Sequence, residues 1–169
     1  MDRLTALQGV VLDTARRHDH TIMPGYTHMQ QAQPWVLGHY LLGFCSRFHD
    51  SFERLAQAYQ RVNRSPLGTV GLAGTSWPLD RHRTARLLGF DGLVENSKLG
   101  REAYYAVDAL SALSFVMADM NDLATDLHIW CSSEFGLGEC DDGYCGTSSI
   151  FPQKKNPTAL EAIRRAAGA

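Results

Sequence analysis

No apolar run in this chain of 169 residues approaches the roughly 18 residues that a membrane-spanning helix needs. The opening Met1-Asp2-Arg3-Leu4-Thr5 lacks the apolar stretch of a secretory signal. These two absences lead to the expectation of a soluble, cytoplasmic protein with no membrane partner. Neither charge dominates: 16 Lys+Arg stand against 18 Asp+Glu, a formal net charge of −2. The basic residues are spread along the chain, which argues against a dedicated nucleic-acid binder. No two of the four cysteines form a C-x-x-C pair, and Cys140 and Cys145 have no histidine nearby, so no zinc site is expected. Cys45 and Cys131 fall in helical apolar patterns and read as reduced core residues. Glu139, Asp141 and Asp142 do not follow a calcium-loop pattern. The stretch Gly68 to Gly74 lacks G-x-x-x-x-G-K-[ST], so neither a metal nor a nucleotide is expected. The sequence shows no internal repeat and no clear strand alternation.

Hydrophobic residues make up 44% and charged residues 20%, ordinary globular usage that excludes a disordered or collagen-like chain. Three long segments carry helical spacing. Leu4, Leu7, Val11, Ala15 and His18 form the first. Leu37, Leu41, Phe44, Phe48, Phe52, Leu55, Tyr59 and Val62 form the second, for which Pro34 is the expected first-turn residue. Leu110, Leu113, Met117, Met120, Ala124, Leu127 and Cys131 form the third, expected to end near Gly136 and Gly138. A short helix is predicted from Asp80 to Leu88, closed by Gly89. A last one is predicted from Asn156-Pro157, with Asn156 as its cap. Stripes this long reach roughly 40 Å at 1.5 Å per residue. They imply an all-α class: a long-helix bundle with irregular loops. Three long helices and a stub leave apolar faces uncovered, so association with other copies or continuation into a longer chain is expected.

Two polar clusters interrupt the helical pattern. Met23 to Pro34 packs Tyr26, Thr27, His28 and Gln33 into one short segment. It reads either as a helix-entry loop capped by Thr27 or Gln33, or as a pocket for an anionic group in which His28 moves a proton near neutral pH. Gly146 to Pro157 gathers Thr147, Ser148, Ser149, Lys154, Lys155 and Asn156 ahead of a helix. It reads either as turn formers, a cap and solvated lysines, or as a site for carboxylate or phosphate.

The run Thr147-Ser148-Ser149-Ile150-Phe151-Pro152-Gln153-Lys154-Lys155-Asn156-Pro157 resembles the G-S-S-x-M-P-x-K-x-N loop of the fumarase/aspartase superfamily. Its P-Q-K-K-N-P ending, together with M-P-G-Y-T-H at Met23 to His28, is similar to the argininosuccinate lyase branch. Arg61 to Gly68, Leu72 to Thr75, Leu87 to Gly92, Glu95 to Ser97 and Ser133 to Gly136 extend the resemblance over essentially the whole chain. Phe151, Thr147 and Thr158 depart from the usual Met, Gly and Asp, and Lys98 to Tyr105 departs from the branch's usual stretch. The resemblance implies that residues 1–169 are a central helical-bundle domain, shorter at both ends than the family. It implies a C–N lyase that eliminates fumarate from an N-substituted aspartate, most directly argininosuccinate to arginine and fumarate in arginine biosynthesis. The implied catalytic residues are Ser148, as an alkoxide base, and His28. The implied substrate contacts are Thr27, Lys154, Asn156, Gln33, Tyr26 and Ser149. The implied partners are a small dicarboxylate substrate and a homotetramer whose sites draw on several subunits. The implied reaction needs no cofactor. A paralogue acting on another N-substituted aspartate, another chemistry of the superfamily (fumarase or adenylosuccinate lyase), and a non-catalytic structural descendant stay open as alternatives.

Overall fold

Five helices carry the computed structural model, which describes residues 1–168. In chain order these are α1 (Asp2–Arg17), α2 (Leu37–Val62), α3 (Arg81–Leu88), α4 (Tyr104–Trp130) and α5 (Thr158–Ala167). The sheet is confined to three two-stranded pairs. They are β1 (Ile22–Thr27) with β2 (Gln30–Val36), β3 (Arg64–Ser65) with β4 (Gly92–Leu93), and β5 (Gly146–Thr147) with β6 (Lys155–Asn156). The expected all-α class holds. The chain divides into two compact units: Met1–Phe52 with the residues from Ser114 onward, and Glu53–Leu113.

In the first unit the apolar stripe of α1 buries Leu4, Val11 and Ala15, and that of α2 buries Tyr40, Leu41, Phe44 and Phe48. The α1–α2 contact is close. Gly38 N–H donates to His18 O at 3.0 Å, and a Cβ at Gly38 would lie 2.7 Å from Ala15 O. Polar pairs join α2 to α4 and set them antiparallel. Tyr40 Oη donates to Asp126 Oδ2 at 2.7 Å, Arg47 Nε to Asp119 Oδ1 at 2.7 Å, and Ser51 Oγ to Asp119 Oδ2 at 2.7 Å. Arg47 Nη2 also reaches Asp122 at 2.8 Å. Ser51 is fully buried and Asp119 nearly so. A buried carboxylate is tolerated because a guanidinium and a hydroxyl both donate to it.

In the second unit β3 and β4 pair in parallel, Arg64 with Gly92 and Ser65 with Leu93. α3 starts as expected: Asp80 accepts from Arg83 N–H at 2.9 Å. It stops at Gly89 in the left-handed region, φ 78°. Arg61 makes a two-pronged ion pair with Asp108, at 3.0 and 3.2 Å.

Four sequence expectations need correction. The chain does contain a hairpin, β1–β2, in which burial alternates only along β1, and Pro34 lies in its second strand, so α2 begins at Leu37. Pro24 faces Pro34 across the pair. A two-stranded hairpin consists only of edge strands, where a missing donor is tolerated. α4 ends at Trp130, short of the glycines, because the chain turns back there: Leu137 N–H and Gly138 N–H both donate to Trp130 O. α5 begins after Pro157, and Asn156 belongs to β6, so Asn156 does not cap the helix. Finally, Cys131 is half-buried and lines a cavity; among the apolar-pattern cysteines only Cys45 is a core residue.

Candidate active site

The hairpin displays the first polar cluster. Its strands pair from Ile22 with Val36 to Thr27 with Gln30, leaving His28 and Met29 as a two-residue turn. Both have positive φ, 53° and 60°, the geometry that matches the twist of a hairpin and that Asn-Gly usually supplies. Holding two side-chain-bearing residues there stores strain, a trait of functional segments. Gly25 permits the strands to close, since a Cβ there would sit 2.8 Å from Gln33 O. Thr27, His28 and Gln33 are exposed, and Tyr26 is half-buried. The Tyr26 ring meets Phe135 edge-on at 5.2 Å, and Gln31 Nε2 donates to its hydroxyl at 3.4 Å. Neither Thr27 nor Gln33 caps a helix.

The second cluster is a loop held by a short stem. Gly146 pairs with Asn156 and Thr147 with Lys155, so residues 148–154 form a closed excursion. Gly146 has no room for a side chain, because a Cβ would lie 2.6 Å from Thr158 Cγ2. Inside the loop Ser148 Oγ accepts two backbone N–H bonds, from Ile150 at 3.2 Å and Phe151 at 3.0 Å. Two donors on one hydroxyl oxygen favour negative charge on it. Ser149 and Lys154 are exposed and Asn156 is half-buried. Lys154 makes no ion pair among the described residues, whereas Lys155 Nζ is held by Glu139 at 2.9 Å and Asp142 at 2.7 Å. Those carboxylates raise the Lys155 ammonium above its ordinary range, and Lys155 holds the Asp142 carboxyl below its own. Asp141 accepts from Gly143 N–H at 2.8 Å. The acidic cluster is thus engaged with a lysine and a turn.

A cavity of about 510 Å³ opens beside the stem, lined by His128, Glu134, Glu139, Gln153, Lys154 and Lys155 among others. His128 was not anticipated as a cavity residue, whereas Lys155 was among the residues of the candidate carboxylate site read from Gly146 to Pro157. Tyr26, Thr27, His28 and Gln33 are brought together on the hairpin, and Ser148, Ser149, Lys154 and Asn156 on the loop. Among the described residues, no hydrogen bond, ion pair or ring contact joins His28 to Ser148 or Lys154.

Comparison with known proteins extends this geometry. The argininosuccinate lyase of Arthrospira platensis is 46% identical over 167 residues, covering 98% of this chain and 36% of the relative. That of Methanosphaerula palustris is 44% identical over 168 residues, covering 99% of this chain and 34% of the relative. An EDDS lyase variant with bound fumarate superposes at a TM-score of 0.96 with 38% identity, over 99% of this chain and 34% of that one. The chain therefore spans about a third of the length of the relatives it matches. The family model described as "Lyase" matches residues 1–169, and with the serine loop, the hairpin and the long helices all within that match, the chain belongs to the lyase family.

Proposed function

We propose that this chain is the central helical-bundle part of a C–N lyase that releases fumarate from an N-substituted aspartate, with argininosuccinate the first candidate substrate. The observation that carries this reading is Ser148 Oγ receiving two backbone N–H bonds in a loop with Lys154. A serine hydroxyl is a poor base in water, and donors fixed on its oxygen lower the cost of the alkoxide. Ser148 takes the proton next to a substrate carboxylate. Negative charge then grows on that carboxylate, and the Lys154 ammonium and the Asn156 amide stabilise it as it forms. The C–N bond on the neighbouring carbon breaks, and the amine leaves with a proton.

Thr27 and His28, at the exposed hairpin tip, bind a carboxylate or supply that proton. Tyr26, Gln33 and Ser149 contribute substrate contacts. That no contact joins His28 to Ser148 among the described residues fits a homotetramer in which one subunit's hairpin completes another's loop. The bound fumarate of the EDDS lyase neighbour supports a dicarboxylate substrate. No helix of the described residues is long and apolar enough to cross a membrane, and we assign the enzyme to the cytoplasm and to arginine biosynthesis. The same neighbour favours a second reading, a lyase for another N-substituted aspartate.

The test uses the complete enzyme. Ser148→Ala is expected to cut fumarate release by about a thousandfold or more while helicity and oligomer mass stay unchanged. Near-normal turnover in that variant removes Ser148 from its role. A panel of N-substituted aspartates read by the same fumarate assay separates the two substrate readings.

A further inference from the structure

Three cysteines line the cavity beside the serine loop: Cys131, Cys140 and Cys145. Their meeting follows from how the chain leaves α4. Gly136, at φ 56°, reverses the backbone, and Leu137 N–H and Gly138 N–H fold back onto Trp130 O at 3.0 and 3.3 Å. This return places Cys140 beside Cys131. Their sulfurs lie 3.5 Å apart, with Cys140 Sγ donating to Cys131 Sγ. Cys145 also neighbours Cys140: its Sγ donates to Cys140 O at 4.0 Å, and the two thiols interact through their side chains. All three are free and half-buried, so a small oxidant entering the cavity reaches them.

We propose that Cys131 and Cys140 are a thiol modification site: a peroxide converts them to a reversible disulfide that closes residues 131–140 into a ring beside the serine loop. The inference stands on the thiol geometry and does not depend on the lyase reading. Cys131 is the attacking sulfur, because it accepts the hydrogen bond whose donor is the Cys140 thiol. Burial pushes the Cys140 thiol up, so Cys140 keeps its proton and acts second. In the first step the Cys131 thiolate attacks one peroxide oxygen and the O–O bond breaks. The other oxygen leaves and is protonated to water, and Cys131 becomes a sulfenic acid. In the second step Cys140 sulfur attacks Cys131 sulfur, the S–O bond breaks, and the thiol proton leaves with that oxygen as a second water. Two thiols are oxidised by two electrons and one peroxide is reduced to two waters. A neighbour already in contact makes the second step intramolecular and fast relative to capture by another chain. The ring ties Glu139, the residue before Cys140, to the end of α4. Glu139 is one of the two carboxylates that hold Lys155, so oxidation braces the stem of the serine loop.

The experiment treats the 169-residue chain with a small excess of hydrogen peroxide, blocks remaining thiols with an alkylating reagent, and maps the non-reduced digest by mass spectrometry. The expected result is a chain lighter by two hydrogens, with the Cys131 and Cys140 peptides linked and the link reversed by dithiothreitol. Cys145→Ser should retain the link, and Cys131→Ser and Cys140→Ser should abolish it with unchanged helicity. Oxygen added to single sulfurs without a link, a link made mainly through Cys145 or between chains, or no change in mass would each overturn the proposal. The mapping on the unsubstituted chain decides the question even if a serine variant folds poorly.

Discussion

Tyr40 is the residue where burial and charge compete most sharply. Its ring packs on Trp130 and Phe44, at 4.7 and 5.2 Å, while its hydroxyl donates to Asp126 at 2.7 Å. Burial, reinforced by the Asp126 carboxylate, moves the phenol far above its ordinary range. Removing the hydroxyl strips a carboxylate of its donor, so Tyr40→Phe should cost about 1.5 kcal/mol in urea unfolding at neutral pH. The sign of the pH dependence follows from the raised value. Folded and unfolded chains both keep the phenol proton below the ordinary phenol pKa of about 10, and there the stabilisation is complete. Above that pH the unfolded phenol ionises while the folded one does not, so this part of the stability falls as pH rises. The difference between the original chain and Tyr40→Phe should therefore narrow above pH about 10. A gap that widens there would contradict the burial argument. The apolar stripe read for α2 from the sequence did not include this residue. The carboxylates Asp119, Asp122 and Asp126 recur at helical spacing on α4. That pattern was the sequence-level sign that α2 and α4 meet through hydroxyls and a guanidinium, and it is clear only once the helices are paired.

Among the elements, the joint of α1 with α2 depends on a missing side chain. Gly38 approaches the end of α1 so closely that an added Cβ would meet Ala15 O at 2.7 Å and Asp19 Cα at 3.1 Å. Both obstacles are backbone and cannot swing aside. Gly38→Ala is expected to destabilise the chain by about 1–3 kcal/mol despite alanine's better helix propensity, read as a lower denaturation midpoint at unchanged slope. A neutral effect would mean that the helices separate freely. The long helices were legible because a 3.6-residue period persists over many turns and outweighs local exceptions. The hairpin was not. Met23 to Pro34 has no β-branched run, contains two prolines, and turns at His28-Met29 where sequence rules look for Asn or Gly. The serine loop was legible as a motif, and its residues do lie together. Its stem, only two residues on each side, is too short to leave any alternation.

For the whole molecule, the distribution of apolar surface decides how chains meet. The middle of the α2 stripe buries itself, with Leu41, Phe44 and Phe48 in the core, while Tyr59 toward its end is 57% exposed. The first turns of α4 stay open, with Tyr104 69%, Val107 60%, Leu110 63% and Leu113 48% exposed. Surface of this kind favours association, at about 25 cal/mol per Å² removed from water. Light scattering on the 169-residue chain should show a mass above one chain, and Val107→Glu with Leu110→Glu should lower it. A clean monomer before substitution would overturn the expectation. The α2–α4 network has a further consequence, for how helices choose their axial alignment. Apolar stripes tolerate sliding, since one leucine fits a neighbour's groove much as the next one does. A slide of one turn, about 5.4 Å, would part Tyr40 from Asp126 and both Arg47 and Ser51 from Asp119 together. Each bond to a carboxylate that is not re-made in the slid alignment costs about 1.5 kcal/mol, which disfavours that alignment. The carboxylates on α4 thus act as detents, permitting a greasy interface a single setting.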